Sequence, residues 1–571
     1  MHRATLFTLL VAAVLLLAGC DRAPEPSTQP DASEPSGAAE TRPNILLIVA
    51  DDMGYTDLGS FGGEIETPNL DELALAGVRL TNFQTASMCS PSRAMMLTGV
   101  DAHKAGYGNM LEELSPNQKG QPGYEGYLND NVVTIATLLR DAGYSTFLSG
   151  KWHLGSEPQS YPGKRGFERS FVLNSGGGSH FADMKPAYAP NPDTKADYMR
   201  DDVKLTELPP SFTYSSQYFA DQLISYLDER DNEQQPFFAL LAFTAPHWPL
   251  QAPDAALEKY AGRYDQGYDE VLTQRLSRMA ELGLLADNAV AVSRPPKGLS
   301  WSALTAEEQR VEAKAMEVYA AMIDEMDVHT GRVIDYLRQS GELDNTVVVF
   351  LSDNGAEGHD LDETWPADMF PKIRAVIDQS FDFSFEQMGK PGSYLLYGPN
   401  WARVGSPTGR LHKAFPTEGG TRTSAFVHYP RVIDGGRISD ELVAIKDVAP
   451  TLLELAGVSP PNGEYRGRPV EPMTGVSFTP LLADPAERMP ERPLGMELMG
   501  KRALRLGDWK LVHMPPPFGS GEWQLFDLAS DPAESEDLAA REPGKVAELQ
   551  RHWNTYAEEN AVIIPDWVSG Y

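Results

Sequence analysis

Ile45-Leu46-Leu47-Ile48-Val49-Ala50, followed at once by Asp51-Asp52, is the stretch that decides the fold. An unbroken apolar run containing β-branched residues is the pattern of a strand buried on both faces, as in a parallel sheet. Two adjacent carboxylates at its end have no place in such a core. Three further segments repeat the arrangement. Tyr144-Ser145-Thr146-Phe147-Leu148 stops at Gly150-Lys151-Trp152-His153, Phe237 to Phe243 stops at Thr244-Ala245-Pro246-His247, and Val347 to Leu351 stops at Ser352-Asp353-Asn354-Gly355. Amphipathic helical stretches lie between them, as at Asn131 to Ala142 and Ala313 to Leu337. Strands alternating with helices predict an α/β fold built on a largely parallel sheet. In such sheets ligands bind beyond the carboxyl ends of the strands. One Asp after a strand is commonly a cap or turn residue; titratable groups after four strands predict a shared active site.

The chain has 571 residues, enough for two to four domains of about 100–200 residues each. Its 48 basic and 81 acidic residues give a formal charge of −33. That balance argues against nucleic acid as a partner and against polybasic docking to anionic lipid. Two cysteines, Cys20 and Cys89, rule out a disulfide framework. Arg3 precedes the apolar run Leu6 to Ala18, which has the length of an export segment rather than a membrane span. Leu17-Ala18-Gly19-Cys20 resembles the bacterial lipobox. It implies a signal peptide over 1–19, cleavage before Cys20, a membrane anchor through lipid on Cys20, and an exported lipoprotein of the periplasmic side or cell envelope. Residues 20–43, rich in Pro, Ser and acid, read as a flexible tether.

The folded body is expected to be a catalytic domain over 44–459 followed by a smaller C-terminal α+β subdomain over 460–571. Asp447 to Gly457 reads as the last helix of the first. Arg502 to Leu506 and Trp509 to His513 read as a hairpin about Gly507-Asp508, followed by a strand from Trp523 to Leu528 and a helix from about Lys545. The stretch 254–312 reads as largely helical. The stretch 356–412 carries Trp365, Tyr394, Tyr397 and Trp401, which either rim the pocket or serve ordinary packing.

Cys89-Ser90-Pro91-Ser92-Arg93 precedes Ala94-Met95-Met96-Leu97-Thr98-Gly99. Pro91 suits a first helical position, which sets Cys89 just before a helix start, where backbone N–H groups attract anions. Arg93 adds a fixed fork for an oxyanion. Alone, these residues describe either a thiolate nucleophile or a buried structural cysteine. The whole pattern C-x-P-S-R-x-x-x-L-T-G, however, resembles the signature of the formylglycine-dependent (type I) sulfatases, in which this cysteine becomes formylglycine (3-oxoalanine). Asp51-Asp52, Gly150-Lys151-Trp152-His153-Leu154-Gly155, Pro246-His247-Trp248-Pro249, Asp353-Asn354-Gly355, and Lys413 upstream of Glu418-Gly419-Gly420-Thr421-Arg422 match the family's other motifs in order. Asn174 to Phe181 (NSGGGSHF) is most similar to the bacterial arylsulfatase branch.

The resemblance implies an alkaline-phosphatase-like fold: a large, mostly parallel mixed sheet flanked by helices, with a small C-terminal antiparallel sheet and helix. It implies metal ligation by Asp51, Asp52, Cys89 as formylglycine, Asp353 and Asn354. Hard oxygen donors suit Ca²⁺, or Mg²⁺, rather than zinc. Three carboxylates and a divalent ion leave −1, and Arg93, Lys151 and Lys413 bring the pocket to about +2, fit for a sulfate monoester. In the implied mechanism one hydroxyl of the formylglycine hydrate, held by Arg93, attacks sulfur. His153 is the base that lets the second hydroxyl expel sulfate, while His247 and Lys413 protonate the leaving group. The other nine histidines, His329, His428 and His552 among them, read as structural or surface groups. The implied partners are a small-molecule or saccharide sulfate ester, chiefly an aryl one, and a formylglycine-generating maturation enzyme. The alternatives are a phosphonate or phosphate monoester hydrolase of the same superfamily, or a non-enzymatic binder of sulfated polymers.

Overall fold

β1 (Asn44–Ala50) is buried at every position and lies near the middle of an eleven-stranded sheet. Its side chains alternate between two cores: Leu46, Ile48 and Ala50 enter one, Ile45, Leu47 and Val49 the other. This explains why the sequence shows a continuous apolar run, since each face of the strand meets helices rather than water. The computed structural model describes residues 42–567 apart from 189–190, 233, 286–289, 297, 362–369 and 517. The expected leader, Cys20, most of the tether and Trp365 lie outside the described residues.

The other strands of this sheet are β2 (Val78–Gln84), β3 (Ser145–Lys151), β4 (Arg169–Leu173), β5 (Tyr198–Arg200), β6 (Val203–Lys204), β7 (Phe237–Ala242), β8 (Thr346–Ser352), β9 (Arg422–His428), β10 (Arg437–Ser439) and β11 (Val443–Ala444). Their order is β10-β2-β9-β8-β1-β7-β3-β4-β5-β6, with β11 also on β2. The central run β8-β1-β7-β3-β4 is parallel; β9 runs antiparallel to both β8 and β2, and β5 and β6 close the far edge antiparallel. The fold is the mostly parallel mixed sheet expected of an alkaline-phosphatase-like protein.

Helices Ser215–Asp228 and Ala306–Gln339 pack on one face and Cys89–Thr98, Ile135–Asp141 and Val448–Leu455 on the other. Two helices depart from the expected bounds because their caps lie elsewhere. The Thr134 side chain accepts from the Thr137 N–H, so that helix starts four residues later than its apolar periodicity suggests. Thr305 and Glu308 form a capping box that starts the long helix at Ala306, seven residues early. Pro91 is the third residue of the helix Cys89–Thr98, not the first. A first-turn N–H has no intrahelical acceptor, so proline is tolerated there as well.

After a short hairpin, β12 (Glu464–Tyr465) and β13 (Arg468–Pro469), a second sheet runs β14-β15-β16-β17 antiparallel: Leu494–Leu498, Lys501–Leu506, Trp509–His513 and Trp523–Asp527. One face packs Leu504, Leu511 and Leu525 on Leu549 and Trp553 of the helix Pro543–Glu559. The other packs Ala503, Val512 and Phe526 on Phe415, two residues from Lys413. β14 has no alternating pattern and was not expected; its last residue, Leu498, and Met499 in the turn that follows cluster with Met88 and Cys89.

Candidate active site

Parallel register brings the strand ends together before any side chain is considered. Ala50 pairs with Ser352, so Asp51 and Asp353 leave adjacent strands side by side, about 4.8 Å apart. Lys151 leaves β3, two strands away across the end of β7, and its long side chain spans that gap to donate to both Asp51 oxygens at 2.9 and 2.7 Å. Gly150 permits the exit. Its φ is +124°, and a Cβ there would stand 1.7 Å from the Ala242 carbonyl oxygen.

The remaining contacts build one connected cluster. Arg93 Nε donates to Asp353 Oδ2 at 2.7 Å and Arg93 Nη1 to the Lys151 carbonyl at 3.1 Å. Lys413 Nζ donates to Asp52 Oδ2 at 2.8 Å, and His247 Nε2 lies 3.5 Å from the same oxygen. Asn354 Nδ2 donates to Asp52 Oδ1 at 2.8 Å. Cys89, the first residue of its helix, has its Sγ 3.3 Å from His153 Nδ1. Ligand atoms of Asp51, Cys89 and Asp353 lie within 4.8 Å of one another. All ten residues singled out by sequence therefore converge, and nine of them are buried, with His153 half-buried.

Two buried atoms in this cluster have no hydrogen-bond partner among the described residues: Asn354 Oδ1, an acceptor, and Arg93 Nη2, a donor. An orphan acceptor among carboxylates calls for a cation, and an orphan guanidinium N–H beside it calls for an oxyanion or hydroxyl. Burial pushes the Asp51 carboxyl up to about 7 against the pull of Lys151, and Asp353 and Asp52 add to the rise. So many crowded, desolvated carboxylates fit a divalent metal, and the donor set Asp51, Asp52, Asp353 and Asn354 is entirely oxygen.

Both histidines are held neutral. Burial, then the cations Lys151 and Arg93, keeps His153 well below the ordinary histidine range; burial, Lys413 and Lys151 do the same for His247. His247 Nδ1 donates to the Trp248 carbonyl at 2.6 Å, which leaves Nε2 to face the site. The backbone carbonyl of His247 accepts from His180 Nε2 at 3.0 Å, giving one of the histidines read as structural a positioning contact. The NSGGG segment now has a physical reason. A Cβ on Gly176 would stand 2.7 Å from the His153 ring, and one on Gly177 2.9 Å from the His247 ring. Of the aromatics in 356–412, Tyr397 stacks on Tyr319 and Trp401 packs among Tyr264, Tyr268 and Trp301, whereas Tyr394 backs Trp248.

The sequence reading missed Glu357. Its Oε2 lies 3.3 Å from Lys413 Nζ and accepts from Trp248 Nε1 at 3.3 Å, and the Trp248 ring stacks on His247. This fourth carboxylate lowers the local charge sum from about +2 to about +1. Its position three residues beyond Asn354 was the available signal. Glu112 was missed as well; it lines the mouth of the cavity above Cys89, His153, His247 and Lys413.

The Sulfatase family profile matches residues 43–458, and that of the N-sulphoglucosamine sulphohydrolase C-terminal region matches 408–559. An uncharacterized sulfatase of Schizosaccharomyces pombe is 44% identical, the alignment covering 93% of this chain and 96% of that protein. An arylsulfatase of Klebsiella aerogenes is 41% identical over 77% of this chain and 92% of its own. Among solved structures, Ps i-CgsB in complex with k-i-k-neocarrahexaose superposes with a TM-score of 0.63 at 22% identity, covering 92% of this chain and 95% of that one.

Proposed function

The chain belongs to the sulfatase family, whose members generally use a formylglycine and a divalent metal ion, and from this premise we propose that it hydrolyses aryl sulfate monoesters to a phenol and inorganic sulfate. The Klebsiella arylsulfatase, similar over most of its length, favours the aryl class. The observation that carries the reading is the pair of orphan atoms in the cluster that includes Cys89: the Arg93 donor and the Asn354 acceptor suit an oxyanion and a cation respectively.

A divalent ion held by Asp51, Asp52, Asp353 and Asn354 would polarise the sulfate and the attacking hydroxyl. Four protein oxygens favour Ca²⁺, since Mg²⁺ ordinarily keeps several waters. Cys89 serves after maturation to formylglycine by a separate enzyme, its hydrate oxygens standing near the Sγ position. One hydroxyl, oriented by Arg93, attacks sulfur as the ester S–O bond breaks, and its proton passes to Asp51 or Asp353, whose carboxylate oxygens lie within 4.8 Å of the Cys89 position. Lys413, at Asp52 Oδ2, gives a proton to the departing oxygen, a step His247 at the same oxygen shares only when its Nε2 is protonated. His153, neutral and 3.3 Å from that position, takes the proton of the second hydroxyl. The aldehyde then re-forms and sulfate leaves. Glu357 holds Lys413 and Trp248 in place for the first step. Export, with attachment through Cys20, completes the proposal.

A saccharide sulfate is the second reading, because Ps i-CgsB shares the fold and is crystallised with an oligosaccharide. Turnover of nitrophenyl sulfate, an aryl phosphonate monoester and sulfated oligosaccharides by the matured protein separates the readings. The aryl sulfate is expected to be cleaved fastest; faster cleavage of the phosphonate would overturn the sulfatase assignment, and faster cleavage of the oligosaccharide the aryl one.

A further inference from the structure

The floor of the cavity is cationic, but its mouth is not. The free space beside Cys89 is small, about 30 Å³, so the bulk of an ester must extend outward past the lining residues. The lining includes Met110 and Trp248, both buried, and Glu112 and Tyr188, which are half-buried and form the mouth. Glu112 sits in a single helical turn, Leu111–Glu113, and is half-buried. Its neighbour Glu113 is fully buried and faces Lys501, a lysine of β15. Glu112 forms no salt bridge among the described residues, and Lys413, the cation lining this cavity, is already paired with Asp52 and Glu357. The carboxylate nevertheless makes itself felt across the opening. It is the chief influence raising the Tyr188 hydroxyl well above its ordinary range.

Burial raises the Glu112 carboxyl while Lys151 and Lys413 on the floor draw it back toward its charged form. A pocket with a positive floor and, at its mouth, a carboxylate with no salt-bridge partner among the described residues is complementary to a dipolar ligand. We propose that Glu112 is a specificity-determining residue of this pocket. It selects sulfate esters whose alcohol or phenol part carries an ammonium or a hydroxyl donor, and it rejects those carrying a second anion near the ester. The inference rests on the sulfatase reading above and narrows it. A second sulfate or carboxylate at the mouth meets Glu112 and finds no spare cation among the lining residues. An ammonium there forms a charge-assisted hydrogen bond instead.

Three aryl sulfates with a para methyl, aminomethyl or carboxymethyl substituent test this, because the methylene insulates the ring and keeps the leaving groups similar. With the matured full chain, kcat/KM for the aminomethyl ester is expected to exceed that for the carboxymethyl ester by about tenfold or more at low salt. The ratio should fall toward one as ionic strength rises. In Glu112→Gln the ratio should collapse toward one whatever the absolute rate, and in Glu112→Asp it should keep its direction. A wild-type ratio near one, a preference for the carboxymethyl ester, or an undiminished ratio in Glu112→Gln would overturn the inference while turnover of the methyl ester leaves the sulfatase reading standing. Failure to cleave any of the three would bring down that reading and the inference with it. Should Glu112→Gln fail to fold, the wild-type ratio and its salt dependence decide alone.

Discussion

Cys89 Sγ and His153 Nδ1 stand 3.3 Å apart, although they lie 64 residues apart in the chain, one at a helix start and the other just past the end of a strand. Ser90 Oγ fixes the relationship by donating to the His153 carbonyl at 2.8 Å. His153 itself sits at a φ of 53°, a left-handed backbone that aims its ring at the helix terminus. If this neutral imidazole deprotonates the second hydroxyl, His153→Ala should transfer sulfate once and then stall. Peptide mass analysis after exposure to nitrophenyl sulfate should find residue 89 carrying roughly 80 Da more, the mass of SO₃. Slow turnover with no accumulated adduct would move His153 to the first step.

Removing Asp353, proposed above as a metal ligand, should cost activity without unfolding the protein. Asp353→Ala leaves Arg93 buried without its 2.7 Å partner, so a stability loss of about 3–5 kcal/mol is expected. Added Ca²⁺ should raise the Tm of the wild type and leave that of the variant unmoved. An equal Ca²⁺ shift in both would place the ion elsewhere.

Loss of the leaving-group acid should depend on the leaving group. If His247 becomes protonated on Nε2 in the substrate complex and acts as the acid, His247→Gln should slow esters of poorly departing alcohols by about 10²–10⁴-fold and activated nitrophenyl sulfate much less. A leaving-group series measured in both proteins gives the slope. Parallel lines would leave His247 with orientation alone and assign the proton to Lys413, 2.8 Å from Asp52.

Stability at alkaline pH should depend on one buried histidine far from this chemistry. His103 Nδ1 is 3.0 Å from Asp101 and Nε2 3.2 Å from Glu497 of β14, a bridge between the two sheets' neighbourhoods. Burial disfavours its charge, yet the hydrogen bonds to Asp101 and Glu497 outweigh it and raise the group to about 9. A group raised in the folded state stabilises fully below its unfolded value of about 6.5 and loses that contribution as pH climbs through about 9. Urea unfolding should therefore weaken by a few kcal/mol between those values. His103→Gln should flatten the dependence; an unchanged slope would refute the bridge.

The central strands were legible because both faces of each are covered, which leaves a plain apolar run ending in a polar break. The site was legible for the same reason: four strand ends share one edge of a parallel sheet, so residues such as Asp51 and Asp353, far apart in the chain, become neighbours by register. What stayed hidden lacked a period. β14, reading LGMEL, contains a glycine where Tyr556 presses close and shows no alternation. Glu112 lies in a single helical turn and Glu357 in a loop, where a carboxylate reads like any solvated charge until the fold brings it against a cavity. The cap at Thr134 was visible as a residue type but lay inside a periodic stretch that masked it.

The claim that matters most is that residue 89 acts as formylglycine rather than as cysteine. It is tested by preparing the protein with graded amounts of maturation and measuring two quantities on each preparation. One is the fraction of the residue-89 peptide that is lighter than the cysteine form by about 18 Da, the mass lost when a thiol becomes an aldehyde. The other is the initial rate on nitrophenyl sulfate. The rate should be proportional to that fraction and extrapolate to zero when every molecule carries a thiol. A preparation whose residue 89 is wholly unmodified cysteine and which still turns over repeatedly would contradict the account.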